Sequence, residues 1–434
     1  MPPRGTRDVL PDENRLRDHV VDEAARIFAE YGYGHIQTPT FEETEVFVRG
    51  VGTSTDIVRK EMYTFPDASG RSLTLRPEGT APVARAFVDH GMHTQPLPVK
   101  FWYLASMFRY EAPQAGRYRE HTQLGVEALG SDDPLVDVEV ITLLSDLYGR
   151  LGVPDVTLRI SSMGDAESRA AYRPILMEYL EAHEDAFDED ERDRMRDNPL
   201  RLFDSKREAT ARVMADAPKI ADHLGPAATE HDDRVRSALD LLGVPYVRDP
   251  MLVRGFDYYT HTVFEFVCDR LGAQSGIGGG GRYNGLVEEL GGPATPGVGF
   301  GTGLERITLA LQSTGTAVAP AVDCYLAIPD DDLRRELLPL VRRLRDAGVR
   351  CETDLRGRRL KAMLKHAAGL GAAHVVIIGP REHERGVATV RDMTTGDQRE
   401  VAQSDLADDL RAAVARTRAA TASRPSHTEG ESAQ

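Results

Sequence analysis

Apolar residues recur at helical spacing early in the chain. Leu16, Val20, Ala24 and Ile27, with Phe28 and Tyr31 alongside, fall on one face of a helix. Pro11-Asp12-Glu13 supplies its start, with acids placed against the positive end of the helix dipole, and Gly32 ends it. Residues 34–39 then read as extended. From 71 to 130 the pattern is strand-like, in Leu73-Thr-Leu75, Phe101-Trp-Tyr-Leu104 and Thr122-Gln-Leu-Gly-Val126, with turns such as Pro113-Gln-Ala-Gly116 between. These strands do not alternate with helices, so the pattern predicts an α+β fold: an antiparallel sheet with flanking helices.

The pattern shifts near residue 165. The stretch 181–210 carries 11 acids and 6 bases and reads as helical, which predicts a helical insertion over about 165–245. Strand text resumes from Met251 in Thr262-Val-Phe-Glu-Phe-Val267. A linker is expected near Thr314-Gly-Thr-Ala-Val-Ala-Pro320. After it come a strand at 322–328, a helix marked by Leu333, Leu337, Val341 and Leu344, and a buried strand at 375–378. The expected division is residues 1–320, a small α/β domain over 321–416, and a disordered tail over 417–434, rich in Ala, Ser, Thr and Glu.

Composition narrows the class. With 434 residues and 41% hydrophobic positions, the chain can bury more than one core. The longest charge-free run, 307–322, contains Gln, Ser, Thr, Gly and Pro, so no membrane span is expected. The first residues lack the apolar core of a secretory signal. Three cysteines without CxxC spacing suit a reducing cytosol rather than a disulfide framework. The formal net charge is −16, and only six of the 53 basic residues are Lys. An Arg-heavy, acidic chain suggests a salt-loaded cytosol in a prokaryote; the alternative is an acidic surface that simply keeps the protein soluble. Net charge alone argues against a nucleic-acid partner, which would need a local basic patch.

Several clusters carry possible chemistry. Gly276-Ile-Gly278-Gly-Gly-Gly281 matches GxGxxG, but no βαβ unit follows, so it reads as a glycine-rich strand or turn approached by a ligand. Phe108-Arg-Tyr-Glu111, Arg117-Tyr-Arg119 and Gln123…Glu127 form either a strand–loop–strand gripping a phosphate and a polar ring, or a solvated hairpin. In Arg254-Gly-Phe-Asp-Tyr-Tyr259, the two tyrosines suit either a ligand or the rim of a core. Gly299-Phe-Gly-Thr-Gly303 clears one face of a strand for a flat ligand or for a close helix contact, with Arg306 at the next helix start. Arg356-Gly-Arg-Arg-Leu-Lys361-Ala-Met-Leu-Lys365 holds five bases and no acid, which reads as a polyanion patch or a solvated helix face. No HExxH, paired Cys/His set or GxSxG occurs, so metal ligation by side chains and serine-triad chemistry are not expected.

In this order the pieces resemble the class II aminoacyl-tRNA synthetases, specifically the histidyl-tRNA synthetases. Gly32-Tyr-Gly-His-Ile-Gln-Thr-Pro39, Phe108-Arg109-Tyr-Glu111 through Gln123, and Gly299 through Arg306 are similar to the three class motifs. Arg254-Gly-Phe-Asp-Tyr-Tyr-Thr-His-Thr-Val-Phe-Glu265, Gly279-Gly-Gly-Arg-Tyr-Asn-Gly-Leu286 and Arg76-Pro-Glu-Gly-Thr80 resemble the histidine-specific signatures. Residues 356–396 resemble the family's anticodon-binding domain.

The resemblance implies a histidine–tRNA ligase that forms histidyl-adenylate from L-histidine and ATP, then transfers histidine to the 3′ end of tRNA(His). Arg254 and Arg109 would be catalytic, flanking the α-phosphate. Glu111, His121 and Arg306 would join them in binding ATP, with magnesium carried mainly on the ATP phosphates. Glu78, Thr80 and Gln123 would hold the α-amino group, Glu127 and Tyr259 would read the imidazole, and Tyr258 would line the pocket. Arg356, Arg358, Arg359, Lys361 and Lys365 would meet tRNA. A homodimer in the cytoplasm, with no membrane partner, is expected. The chain departs from the family pattern at Ala112, His121, 276–278 and Asn284. The rival reading is a non-catalytic, histidyl-synthetase-like regulatory subunit of ATP phosphoribosyltransferase, which typically lacks both the anticodon domain and an arginine like Arg254.

Overall fold

The computed structural model describes residues 1–52, 55–113, 116–272, 275–315 and 320–422. They form two units: Met1–Val9 with Arg17–Gly315, and Leu10–Leu16 with the described residues after Gly315. The predicted first helix is Pro11–Glu30, whose Val20, Ala24, Ile27 and Phe28 are fully buried.

The first unit contains β1 (Gly34–His35), β2 (Phe41–Glu43), β3 (Tyr63–Pro66), β4 (Ser72–Leu75), β5 (Val99–Phe108), β6 (Glu120–Leu129), β7 (Val156–Ser162), β8 (Val247–Arg248), β9 (Thr260–Cys268), β10 (Gly276–Arg282) and β11 (Gly297–Gly303). Eight of these make one sheet in the order β1-β5-β6-β11-β10-β9-β7-β8. Its six central strands are antiparallel to their neighbours; only the two-residue edge strands β1 and β8 pair in parallel. Leu73-Thr-Leu75 lies outside this sheet, in a separate three-stranded ribbon ordered β2-β4-β3. There Thr74 hydroxyl-bonds to Thr44 and Thr64 at 2.9 Å each, polar pairing that suits a ribbon rather than a core sheet.

The helix Pro134–Leu151 packs on β11 and on Pro226–Leu242. Asp133 caps its first turn, accepting from the Leu135 amide at 3.0 Å, ahead of Pro134, whose missing N–H is harmless there. The span 165–245, expected as an insertion, holds the helices Ala166–Glu181, Glu189–Asp197, Glu208–Asp216 and Pro226–Leu242. It has its own core of Tyr172, Leu176, Leu180, Phe187, Met195 and Met214. Its acid run starts a helix: Asp188 and Glu191 form a reciprocal capping box. Glu191 also accepts from Ser205, Thr210 and Arg207, which holds its carboxyl below the ordinary value despite burial.

The second unit carries β12 (Cys324–Ala327), β13 (Cys351–Thr353), β14 (His374–Ile377), β15 (Val387–Asp392) and β16 (Gln398–Ala402), ordered β13-β12-β14-β15-β16. The first three are parallel, and β15 and β16 return antiparallel. The helix expected from Leu333 to Leu344 is two helices, Asp331–Glu336 and Leu338–Asp346. Pro339 at the start of the second supplies no amide for a continuous ladder. The last helix, Leu406–Ala422, runs into the stretch from Thr417 expected to be disordered; alanine and arginine there favour continuation. Residues 423–434, the rest of that tail, and 316–319 of the expected linker lie outside the described residues. The three cysteines are free and buried.

Candidate active site

One face of the large sheet is cleared by glycine. Register aligns Tyr103, Gly125, Gly301, Gly279 and Glu265 in a row across β5, β6, β11, β10 and β9. The neighbouring row runs Glu127, Gly299, Gly281 and Val263. Side chains lie over the space the glycines leave. A Cβ on Gly125 would stand 2.3 Å from the Tyr103 ring, one on Gly301 2.4 Å from Gln123 Nε2, one on Gly279 3.0 Å from the Arg254 guanidinium, and one on Gly281 2.8 Å from the Tyr259 ring. The expected glycine-rich strand is therefore β10, and it opens no helix as a dinucleotide loop would.

Glu127 sits at the bottom of this trough with no solvent exposure. Its Oε1 accepts from Thr80 Oγ1 at 2.7 Å and its Oε2 from the Tyr283 hydroxyl at 2.5 Å. Burial lifts the carboxyl to about 8, against the pull of the Tyr283 and Thr80 hydrogen bonds and with a further push from Glu78. Gly299 is required beneath it, because a Cβ would lie 1.9 Å from Oε2. Tyr103, Tyr258, Tyr259 and Tyr283 belong to one buried cluster around it, with Tyr258 and Tyr259 ring centroids 4.7 Å apart. Burial raises all four phenols, so each remains a hydroxyl donor.

Glu78 is buried at the start of the helix Thr80–Asp89. Its two oxygens accept from the backbone amides of Thr80 (2.6 Å) and Ala81 (2.9 Å), capping that helix from inside the site. Thr80 thus links Glu78 to Glu127. Gln123 Nε2 donates to the Tyr103 hydroxyl at 2.8 Å, which fixes the amide.

The cations lie along the same trough. Arg254 Nη1 meets Glu265 Oε1 at 3.0 Å. Burial opposes its charge, but Tyr259 and Glu265 beside it hold its affinity for the proton above the ordinary value. Arg306, buried, donates from Nε to the Gly276 carbonyl at 2.5 Å. Arg109 donates from Nε to the Pro77 carbonyl at 2.7 Å, with its guanidinium 5.9 Å from the Phe256 ring centroid. Glu111 faces Arg117 at 3.8 Å. Burial, together with Arg109 and Arg117, pushes His121 down to about 3, so the ring is neutral at physiological pH.

In the second unit, Arg356, Arg359, Lys361 and Lys365 are exposed around the start of the helix Leu360–Gly369. Arg358 is different. Its guanidinium meets buried Asp354 at 2.6 Å, and Asp354 also accepts the amides of Arg356 (3.2 Å) and Arg358 (2.7 Å). Arg358 shapes the loop that presents the other cations.

Sequence reasoning assigned no role to Tyr103, Tyr283 or Glu265. Tyr283 lay in a quoted signature. Tyr103 became legible only through the register that sets it opposite Gly125.

An antiparallel sheet with a glycine trough, arginines along it and a separate α/β unit define a class II aminoacyl-tRNA synthetase. A family model described as histidyl-tRNA synthetase matches residues 5–307, and one described as an anticodon binding domain matches residues 317–413. The chain belongs to the histidyl-tRNA synthetase family. It is 48% identical over 414 residues to the histidine–tRNA ligase of Halothermothrix orenii, covering 95% of this chain and 99% of that protein. Its identity to the histidine–tRNA ligase of Rubrobacter xylanophilus is 47% over 408 residues, 92% of this chain and 96% of that protein. The apo structure of S. aureus histidyl-tRNA synthetase superposes with a TM-score of 0.79 at 35% identity, covering 95% of this chain and 99% of that one. A Bacillus halodurans protein described as an ATP phosphoribosyltransferase regulatory subunit/histidyl-tRNA synthetase shares the fold, with a TM-score of 0.62 at 24% identity over 87% of this chain and 98% of that one.

Proposed function

We propose that the chain ligates L-histidine to tRNA(His) in two steps at the glycine trough. A histidine carboxylate oxygen attacks the α-phosphorus of ATP, the bond to pyrophosphate breaks, and histidyl-adenylate forms. A terminal hydroxyl of tRNA then attacks the histidyl carbonyl and releases AMP. Arg109 and Arg254 neutralise the charge that develops on the α-phosphate; fixed charges of this kind act without reorganising. Arg306 and neutral His121 take the two faces of adenine, and Glu111 lies near its amino group. Glu78 and Gln123 supply acceptors for the α-ammonium, with Thr80 tying Glu78 to Glu127. Glu127 and Tyr259 read the imidazole, and Tyr258 walls the pocket. Magnesium bound on the ATP phosphates would offset their charge.

The observation that carries this reading is Glu127, a carboxyl without solvent at the closed end of a trough lined by arginines. A buried acceptor of this kind rejects side chains that cannot pair with it. The Arg254–Glu265 pair and the basic loop of the second unit favour the ligase over a non-catalytic regulator. We further infer a cytoplasmic homodimer, joined through the helix Pro11–Glu30 and β1 as in the resembled class. The acid-rich, Arg-heavy composition suits a salt-loaded cytosol.

Aminoacylation of purified tRNA with labelled histidine tests the proposal. Charging is expected in the intact chain. With Arg356, Arg359, Lys361 and Lys365 replaced by Ala, the KM for tRNA should rise and its salt dependence flatten, with histidine activation unchanged. Unaltered tRNA KM in that variant would remove these residues from the tRNA surface.

A further inference from the structure

The loop 254–259 is held by the insertion as well as by the sheet. Asn198 Nδ2 donates to Asp257 Oδ1 at 2.8 Å, and Arg201 donates to the same oxygen from Nη2 at 2.9 Å and Nε at 3.2 Å. Both donors come from the turn Pro199–Asp204 and the residue before it. Between them, Leu200 packs against both the tyrosine cluster of the site and the insertion's own core. Arg169, on the first insertion helix, donates to the Tyr259 carbonyl and, from Nε, to the Met163 carbonyl at 3.2 Å.

The other side of Asp257 is equally shaped. Its amide donates to the Val51 carbonyl at 3.4 Å, and its carboxylate lies over Gly52, where a Cβ would stand 2.5 Å from Oδ2. Gly52 has φ +97°, a conformation that favours glycine. Phe256, one residue before, stacks on Tyr258 at 5.1 Å. A cavity of about 580 Å³ opens beside these contacts, lined by Arg169, Arg173, Asn198 and Asp257 together with apolar residues such as Leu176 and Leu200.

We propose that Asp257 is a positioning residue: its carboxylate latches the helical insertion to the loop 254–259, and that latch sets Tyr258 and Tyr259 for histidine. The inference rests on the histidine-activating function proposed above. Asp257 itself reaches no reacting atom in this scheme. Its neighbours Tyr258 and Tyr259 touch the imidazole there, so displacing them weakens histidine binding while the ATP contacts stay in place. The insertion therefore contributes to histidine affinity although none of its residues is assigned to the pocket.

Histidine-dependent ATP–pyrophosphate exchange by the full chain tests this, with the KM for histidine and for ATP measured separately and melting followed alongside. Asp257→Ala and Arg201→Ala should each raise the histidine KM by about 10-fold and leave the ATP KM within about twofold. The double variant should be no worse than Asp257→Ala alone, because the Arg201 contact is already lost in that single variant. Arg201→Lys, which keeps the charge, should recover part of the loss. If Asp257→Ala does not fold, Arg201→Ala and Asn198→Ala carry the test from the insertion side. Normal exchange with an unchanged histidine KM in Arg201→Ala and Asn198→Ala would overturn the latch. So would equal rises in both KM values, or additive losses in the double variant. An intact chain without histidine-dependent exchange would instead bring down the functional reading, and the latch with it.

Discussion

Glu127 concentrates the argument at the scale of single residues. Its carboxyl is raised to about 8 in the fold from an ordinary 4.5. The folded state therefore holds a proton that the unfolded chain has released, and this contribution to stability is complete below about 4.5 and is lost as pH rises to about 8. His121, lowered to about 3, acts oppositely: its contribution is complete above about 6.5 and is lost as pH falls through 3. The two windows overlap, so the difference between variant and parent isolates Glu127. Relative to the parent, Glu127→Gln should gain melting temperature steadily from pH 5 to 8, and its histidine KM should rise far more than its ATP KM. If Glu127 served only a core hydrogen bond, stability would drop with histidine affinity unchanged. Arg254, Arg109 and Glu127 could be singled out in the sequence because they lie in motifs resembling the family's, with Glu127 set on one strand face with Gln123 by alternation. Tyr103 and Asp257 were not, since their partners lie across strands or across the insertion.

Among elements, the glycine strands β10 and β11 were the most legible, and their tolerance to substitution can be ranked. At Gly280 a Cβ would stand 1.9 Å from the Gly299 carbonyl, backbone that cannot yield. At Gly301 it would first meet Gln123 Nε2 at 2.4 Å, the end of a side chain that can turn away. Gly280→Ala should therefore abolish or severely weaken folding. Gly301→Ala should fold but raise the histidine KM by displacing Gln123. Circular dichroism melting with exchange kinetics checks both, and equal stability of the two variants would contradict the sheet register. Periodicity placed the helices less well. It merged Asp331–Glu336 with Leu338–Asp346 because the apolar spacing runs through Pro339, and it stopped the final helix short because Ala/Thr-rich text also suits a coil.

For the whole molecule, the sequence showed where composition changes but not which residues group together. Leu10 and the first six residues of the opening helix, through Leu16, fall with the second unit, which no local pattern could reveal. Charge is a property of the whole chain. With a net −16, the surface repels itself, and exposed pairs such as Arg212–Glu208 add little to offset that. Potassium chloride screens the repulsion, so the melting temperature should rise across a salt series. A flat or falling series would remove the salt-adapted reading while leaving the enzyme's chemistry intact.

Amino-acid-dependent ATP–pyrophosphate exchange, run with each of the twenty amino acids in turn, tests the central claim most directly, because it reads the first step without tRNA. The trough geometry requires exchange with histidine alone, and a loss of at least about 100-fold in Arg254→Ala with the histidine KM little changed, the scale expected for one preorganised charge. Exchange driven by another amino acid, no exchange with histidine, or near-normal exchange in Arg254→Ala would contradict the account.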